Sequence, residues 1–199
     1  MVLYVNMKRI CVFCGSSHGS QPEYTRAAEE LVRAMARRKL GLVFGGGGIG
    51  LMNVIADTGL ELGIEVIGVI PEALVAKELA HRGLSDMRVV GSMHERKALM
   101  AELADAFVAL PGGFGTLEEF CEVLTWAQLG LHGKPSGLLN TAGYFDPLLT
   151  FFDHALAERF LRPEHRAMVL VDSNADRLLD RLATFRPPEL DKWIHPEET

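Results

Sequence analysis

Short apolar runs alternate with helical patterns along most of this 199-residue sequence. Each run is followed by a segment with amphipathic spacing, a repetition that is typical of right-handed β-α-β units. Such units build a parallel sheet that is covered by helices on both faces, so its strands are apolar throughout. The predicted strands are 9–14, 42–44, 65–70, 88–90, 106–110, 137–139 and 168–171.

We therefore predict one Rossmann-like α/β domain over residues 8–185, with a parallel sheet of about seven strands and helices on both faces. A polar C-terminal tail follows at 186–199. The first helix is predicted to start at Ser20 and to end near Gly41, and the second to end near Gly63. In such folds ligands bind at the carboxyl ends of the strands, near the switch in strand order.

Composition excludes several classes of protein. Hydrophobic residues make up 48% and charged residues 23%, the balance of a soluble globular domain. The net charge of −6 argues against a groove for nucleic acid, and no apolar run is long enough for a membrane helix. No secretory signal opens the chain, and we expect a cytoplasmic protein.

Cysteine and histidine give no sign of redox or metal chemistry. Cys11 and Cys14 have C-x-x-C spacing, but they lie in a predicted strand rather than at a helix start. We therefore interpret them as buried, inert thiols. The histidines lack metal-ligand spacing, so we predict no metal site.

The stretch ALPGGFGTLEEF at 109–120 ends a strand and opens a helix through three glycines. Thr116 and Glu119 have the spacing of a capping box, in which side chains satisfy backbone amides at a helix start. Capping does not require Gly112, Gly113 and Gly115, however. Glycines let the backbone approach a ligand and leave its amides exposed, as in phosphate-binding turns. The two readings are a simple cap and an anion site that leaves Glu119 free.

A second cluster, FGGGGIGLM at 44–52, has the spacing G-x-G-x-x-G in Gly45, Gly47 and Gly50. It lies between a strand and a helix, as a dinucleotide fingerprint would. However, it follows the second strand rather than the first, and its candidate ribose ligand, Glu72, comes just after a proline. We favour a tight turn that allows close approach of the backbone to another ligand.

The stretch GSMHERKALM at 91–100 places two cations near a helix start. Ser92 and Glu95 form a capping box, which puts Arg96 and Lys97 in the first helical turns. Cations there oppose the helix dipole by about 0.3–1 kcal/mol each. A solvated basic pair could tolerate this cost, whereas a bound anion would reverse its sign. Both helix starts follow consecutive strands, so both can reach one cleft.

Together these residues resemble a known family. MHERK at 93–97 and PGGFGTLEE at 111–119 look like the paired M-H-x-R-K and P-G-G-x-G-T-x-x-E motifs of the LOG family, the cytokinin riboside 5′-monophosphate phosphoribohydrolases. Further similar stretches are CVFCGSS at 11–17, GVIPEAL at 68–74 and TWAQLGLHGKP at 125–135. The resemblance implies hydrolysis of N6-modified AMP to free base and ribose 5-phosphate, without a cofactor. It also implies a homodimer with active sites near the subunit interface.

By motif position, the resemblance implies that Arg96 and Glu119 are catalytic. The residues it implies in nucleotide binding are Glu78, Lys97, Gly113, Phe114, Gly115, Thr116, Leu117, Glu118 and Thr125. Members of the family often carry a lysine decarboxylase label. That chemistry needs a Schiff-base lysine in a pyridoxal pocket, and Lys97 beside Arg96 is better explained by anion binding.

These residues lead to a hypothesis of glycosidic hydrolysis. The 5′-phosphate would sit on the amides of 113–116 and release Glu119 from its cap, so that the carboxylate stabilises positive charge on the ribose and orients water. Arg96 would hold phosphate or ribose, or lend charge to the departing base. The proton donor to the base stays open among Glu118, water and the purine itself. The alternatives are an AMP nucleosidase and a nucleotide-binding protein without turnover.

Overall fold

A computed structural model of the protein describes residues 7–75 and 80–188. These residues form one parallel sheet of seven strands, which confirms the predicted α/β class. The strands are β1 (Arg9–Phe13), β2 (Gly41–Phe44), β3 (Val66–Pro71), β4 (Asp86–Val90), β5 (Ala106–Ala109), β6 (Ser136–Leu139) and β7 (Val169–Asp172). The largest deviation from prediction is at the start of β4, an edge strand that begins with the polar Asp86 and is only partly buried.

The helices lie between the strands, as the alternating pattern predicts. They are α1 (Pro22–Arg37), α2 (Gly50–Glu61), α3 (Glu72–Val75), α4 (Met93–Leu103), α5 (Phe114–Gln128), α6 (Asp146–Ala157), α7 (Pro163–Arg166) and α8 (Ala175–Thr184). A 3-10 turn, Thr141–Gly143, precedes α6. None of the helices in the described ranges is long and apolar enough to cross a membrane.

The bounds of α1 differ from the predicted ones at both ends. Its N-cap is Gln21 rather than Ser20, and Pro22 takes the first helical position, where its missing amide costs nothing. The helix ends at Arg37, well before Gly41, because Lys39 adopts a left-handed conformation with φ of 57°. The amide of Leu40 then closes the end on the carbonyl of Met35 at 3.0 Å.

The strand order is β4-β3-β2-β1-β5-β6-β7, so the direction of winding reverses between β1 and β5. The chain first builds outward from β1 to β4, and α4 then carries it back to β5 on the other side of β1. Two adjacent strand ends therefore diverge at β1 and β5, where α/β sheets bind their ligands.

Both faces of the sheet are covered, which explains why its central strands are largely apolar. One core lies between the sheet and α1, α2 and α8, and contains Leu31, Ile55 and Leu178. The other lies between the sheet and α4 and α5, and contains Met100 and Phe120. The second core holds α4 and α5 against the sheet, with their N-termini at the carboxyl edge.

Candidate active site

A cleft of about 430 Å³ opens where β1, β2, β3 and β5 end. The loops after β1 and β2 border it, together with the first turns of α4 and α5. Its polar side chains are Ser16, Arg96, Thr116 and Glu119, and its apolar ones include Ile49, Met52, Ile70, Leu74 and Met93. The two helix starts that were predicted to share one cleft therefore do so.

The N-terminus of α5 borders this cleft without a side-chain cap. Its N-cap is Gly113, so Thr116 lies inside the first turn. The simple cap of Thr116 and Glu119 is therefore wrong, because the helix begins earlier and Glu119 instead bonds Arg96. Among the described residues, the backbone amides of 113–116 have no hydrogen-bond partner. Such orphan amides at the positive end of a helix dipole attract an anion.

The turn that precedes α5 is fixed by hydrogen bonds to its carbonyl groups. The amide of Gly15 donates to the carbonyl of Pro111 at 3.0 Å, and the hydroxyl of Tyr144 donates to the carbonyl of Gly112 at 2.6 Å. A Cβ at Gly112 would lie 2.1 Å from Oγ1 of Thr116 and 2.8 Å from the amide nitrogen of Gly15. Only glycine fits this contact between the β1 loop and α5.

Helix α4 brings Arg96 to the same cleft. Its predicted cap is confirmed, since the Ser92 hydroxyl accepts from the amide of Glu95 at 3.1 Å. The Glu95 carboxylate accepts from the amide of Gly91 at 2.8 Å. Arg96 is 7% exposed, so it is not a solvated surface cation. Its Nε donates to the carbonyl of Val69 at 3.1 Å, and its Nη1 donates to the Glu119 carboxylate.

The Glu119 carboxyl is enclosed at the inner side of the cleft, with 12% of its side chain exposed. Burial raises its pKa above the usual range of a glutamate, and the charge of Arg96 offsets part of that rise. A buried ion pair contributes little net stability, because desolvation cancels much of the attraction. A perturbed carboxyl beside an arginine in a cleft is therefore a better candidate for chemistry than for stabilisation.

The glycine cluster after β2, at 44–52, makes room for Arg96 rather than for a dinucleotide. A Cβ at Gly45 would lie 2.1 Å from Nη2 of Arg96, so only a bare backbone leaves room for the guanidinium. At Gly50, where φ is +56°, a Cβ would lie 2.3 Å from the carbonyl carbon of Ser16. The close approach that the glycines predicted is real, but it is made to the chain itself.

Comparisons with known proteins place the chain in a family. A family model described as "Possible lysine decarboxylase" matches residues 52–182. The cytokinin riboside 5′-monophosphate phosphoribohydrolase LOG7 of Arabidopsis thaliana is 48% identical over 180 residues, covering 90% of this chain and 83% of that protein. The chain belongs to the LOG family. The "Probable cytokinin riboside 5'-monophosphate phosphoribohydrolase LOGL9" of Oryza sativa subsp. japonica is 51% identical, over 90% of this chain and 79% of that protein.

Solved structures of lower identity share the LOG fold. The molybdenum cofactor binding protein of Rippkaea orientalis superposes with a TM-score of 0.66 at 20% identity, covering 88% of this chain and 95% of that one. The molybdenum cofactor carrier protein of Chlamydomonas reinhardtii gives 0.65 at 22% identity, covering 88% and 97%. At these identities the likeness concerns the fold alone.

Lys97 of the LOG motif points away from the cleft. Its ammonium group donates to the carboxylates of Glu118 at 2.5 Å and Glu122 at 3.0 Å, and 11% of its side chain is exposed. The hydrogen bond to Glu118 raises the pKa of Lys97. A Schiff base needs a neutral, accessible amine, so this lysine does not fit the decarboxylase description of the family model.

The other motif residues fall in three places. Phe114 and Gly115 line the cleft with Gly113 and Thr116, and the Phe114 side chain is 94% exposed. Leu117 instead packs against the second core. Thr125 lies two turns further along α5, where its hydroxyl donates to the carbonyl of Cys121 at 2.7 Å and it lines a separate groove. Glu78 lies outside the described residues.

Sequence reasoning missed several residues of the cleft. Ser16 and Cys14 follow β1, and their signal was the CVFCGSS stretch, which resembles the family but from which no site residue was assigned. Cys11 and Cys14 are indeed buried free thiols, and burial raises both pKa values. Tyr144 had no signal in the sequence, because its partner Gly112 lies 32 residues earlier in the chain.

Proposed function

We propose that this LOG-family protein hydrolyses the N-glycosidic bond of N6-modified AMP, releasing the free base and ribose 5-phosphate. The names of its relatives describe a phosphoribohydrolase of cytokinin riboside 5′-monophosphate, and the sequence identity extends over most of the chain. The observation that carries the proposal is the buried pair of Arg96 and Glu119 beside the uncapped N-terminus of α5. A carboxylate next to an anion site has little value for binding alone, whereas glycosidic hydrolysis requires one.

The turn at 113–116 binds the 5′-phosphate in this proposal. Its amides lack partners among the described residues, and the α5 dipole favours an anion there. Phosphate binding would then place the ribose over the inner part of the cleft, toward Glu119. Substrates without the phosphate would lose this anchor.

The chemistry is a displacement at C1′ of the ribose by water. The bond from C1′ to the base breaks, and its electron pair leaves with the base while positive charge develops on the sugar. Glu119 stabilises that charge and orients the water, whose oxygen bonds C1′. One proton of the water ends on the base, so the reaction consumes one water and no cofactor. Arg96 holds Glu119 in place and lends positive charge to the departing base.

The apolar part of the cleft favours an N6-modified base over plain AMP. Ile49, Met52, Leu74 and Met93 offer side chains that could cover an apolar substituent, and methionine adapts well to such groups. Ile49 and Met93 are 42% and 47% exposed, so binding would remove apolar surface from water. Plain AMP has nothing to place there.

A homodimer accounts for the position of Thr125. Beside it lies a groove with the exposed side chains of Phe151 and Phe160, which are 61% and 90% accessible. Apolar surface of this kind marks an interface, and we propose a second copy of this chain as its occupant. The family implies active sites near the dimer interface, so Thr125 would act there, and its motifs imply nucleotide-binding roles for Lys97 and Glu118 as well. Light scattering after size-exclusion chromatography should give the dimer mass.

We also propose that the protein works in the cytoplasm. Cys11, Cys14 and Cys121 are all free thiols, as expected for a chain that folds in a reducing compartment.

The test is chromatographic detection of free base from N6-isopentenyl-AMP, AMP and N6-isopentenyladenosine side by side. Release from the monophosphates but not from the riboside is expected, with the N6-modified monophosphate preferred. Faster release from AMP would instead identify an AMP nucleosidase. Binding of either monophosphate without release of base would identify a nucleotide-binding protein and overturn the proposal.

A further inference from the structure

The hydroxyl of Tyr144 reaches the glycine turn from outside the predicted site. It donates to the carbonyl of Gly112 at 2.6 Å, although the two residues are 32 positions apart. Neither LOG motif includes Tyr144, and the residue does not line the main cleft. It borders a neighbouring hollow that shares Gly15, Ser16 and Gly113 with that cleft. The glycine turn therefore separates Tyr144 from the reacting groups.

The direction of this bond matters because a peptide unit is planar and trans. The carbonyl of Gly112 and the amide of Gly113 belong to one such unit and point in opposite directions. Holding the carbonyl toward Tyr144 therefore holds the Gly113 amide away from it. That amide is the N-cap amide of α5, the first of the partnerless donors at 113–116.

Tyr144 is itself held in place. The side-chain oxygen of Asn140 accepts from the amide of Phe145 at 2.8 Å, and its side-chain nitrogen donates to Asp146 at 2.7 Å. The ring packs edge-on against Tyr24, with centroids 5.7 Å apart, and against Phe145 at 5.1 Å. These contacts order the backbone on either side of Tyr144 and two faces of its ring, so its hydroxyl is held where it bonds the Gly112 carbonyl.

We infer that Tyr144 is a positioning residue for the anion-binding turn, which it orients through the carbonyl of Gly112. The inference rests on the proposed function, since it assigns the turn to the 5′-phosphate. Its effect is on binding of the phosphate group rather than on bond cleavage. Loss of the hydroxyl should therefore raise KM and the Kd of phosphorylated ligands, and leave kcat almost unchanged.

The test compares Tyr144→Phe with Tyr24→Phe. The first removes the bond to Gly112 and keeps the ring, while the second removes a neighbouring hydroxyl and keeps the bond. For Tyr144→Phe we expect the Kd of ribose 5-phosphate, measured by calorimetry, and the KM of N6-isopentenyl-AMP to rise about fivefold, the size typical of one positioned hydrogen bond. We expect kcat to stay within about twofold. Tyr24→Phe should leave all three values within about twofold.

Several outcomes would overturn the inference: unchanged ribose 5-phosphate binding in Tyr144→Phe, an equal loss in both variants, or a loss confined to kcat. Tyr144→Leu provides a second test with the same expected direction, should Tyr144→Phe not yield folded protein. If the unmodified protein releases no base but the calorimetric difference holds, the proposed function fails while the role of Tyr144 stands.

Discussion

The two glycine turns of this protein look alike in sequence and do different work. The turn after β2 is closed by the chain itself: the Gly46 carbonyl accepts from the amide of His81 at 2.9 Å, and Gly47 pairs with Ala80. The turn after β5 is tied at the carbonyls of Pro111 and Gly112, and its amides at 113–116 have no partner in the described part of the chain. The first turn therefore makes room, and the second presents donors.

This difference shows that a glycine motif indicates a close approach or an open turn, but does not by itself indicate ligand binding. Gly45 is required because Arg96 occupies the space where its side chain would be. Gly113 and Gly115 meet the opposite condition, since a Cβ at either would have no atom within 4 Å. A glycine packed against a buried arginine and a glycine that faces open space look identical in the sequence. The neighbours of the turn, not its spacing, decide whether it binds a ligand.

Glu119→Gln should have the largest effect, because it removes the negative charge that is proposed to stabilise the ribose during bond cleavage. We expect kcat to fall about 10²–10³-fold while the protein remains folded, since glutamine keeps the size and can still bond Arg96. The matched control is Glu122→Gln on the same helix, which loses one partner of Lys97 and should stay within about twofold. Equal turnover of the two variants would contradict the assignment of Glu119.

Gly45→Ala tests whether the first turn acts through Arg96. The new methyl group would displace the guanidinium from Glu119, and misplacement of this kind costs on the order of 10²-fold in kcat/KM. The sharper measurement is a double-mutant cycle with Arg96→Ala. If the glycine only makes room for the arginine, Gly45→Ala should add almost nothing once Arg96 is gone. Fully additive losses would show that the turn has a role of its own.

The pH dependence of kcat/KM should report the Glu119 environment. Burial raises the pKa of this carboxyl above the ordinary glutamate value of 4.5, and the proposed reaction needs its ionised form. Activity should therefore fall as pH decreases through that raised pKa, giving an acidic limb above pH 4.5. The residual activity of Glu119→Gln should lack this limb. A limb at or below 4.5, with the fold intact by circular dichroism, would contradict the prediction.

The features that could be predicted from the sequence are those that depend on residues close together in the chain. The alternation of apolar runs specified the strands, and Ser92 with Glu95 specified the start of α4, because both signals lie within a few residues of each other. The contacts that build the site are not local. Arg96 meets Glu119 across 23 residues and Val69 across 27, and no periodicity encodes such pairs. A cap at Thr116 stayed open as one of two readings because T-x-x-E fits a capping box locally, whereas the helix begins three residues earlier, after the N-cap Gly113.

Gly115→Ala should have the smallest effect and separates stability from binding. A Cβ at this position meets no atom within 4 Å, so the fold has no reason to reject it. Alanine in the first turn of α5 should leave the melting temperature unchanged or slightly higher, since it favours the helix by up to about 1 kcal/mol. If phosphate lies against the bare backbone of the turn, the methyl group should still raise KM for the monophosphate, by roughly threefold. An unchanged KM with a normal melting temperature would mean that the phosphate binds elsewhere. The turn after β2 would still accommodate Arg96, but the turn after β5 could no longer be called a binding site.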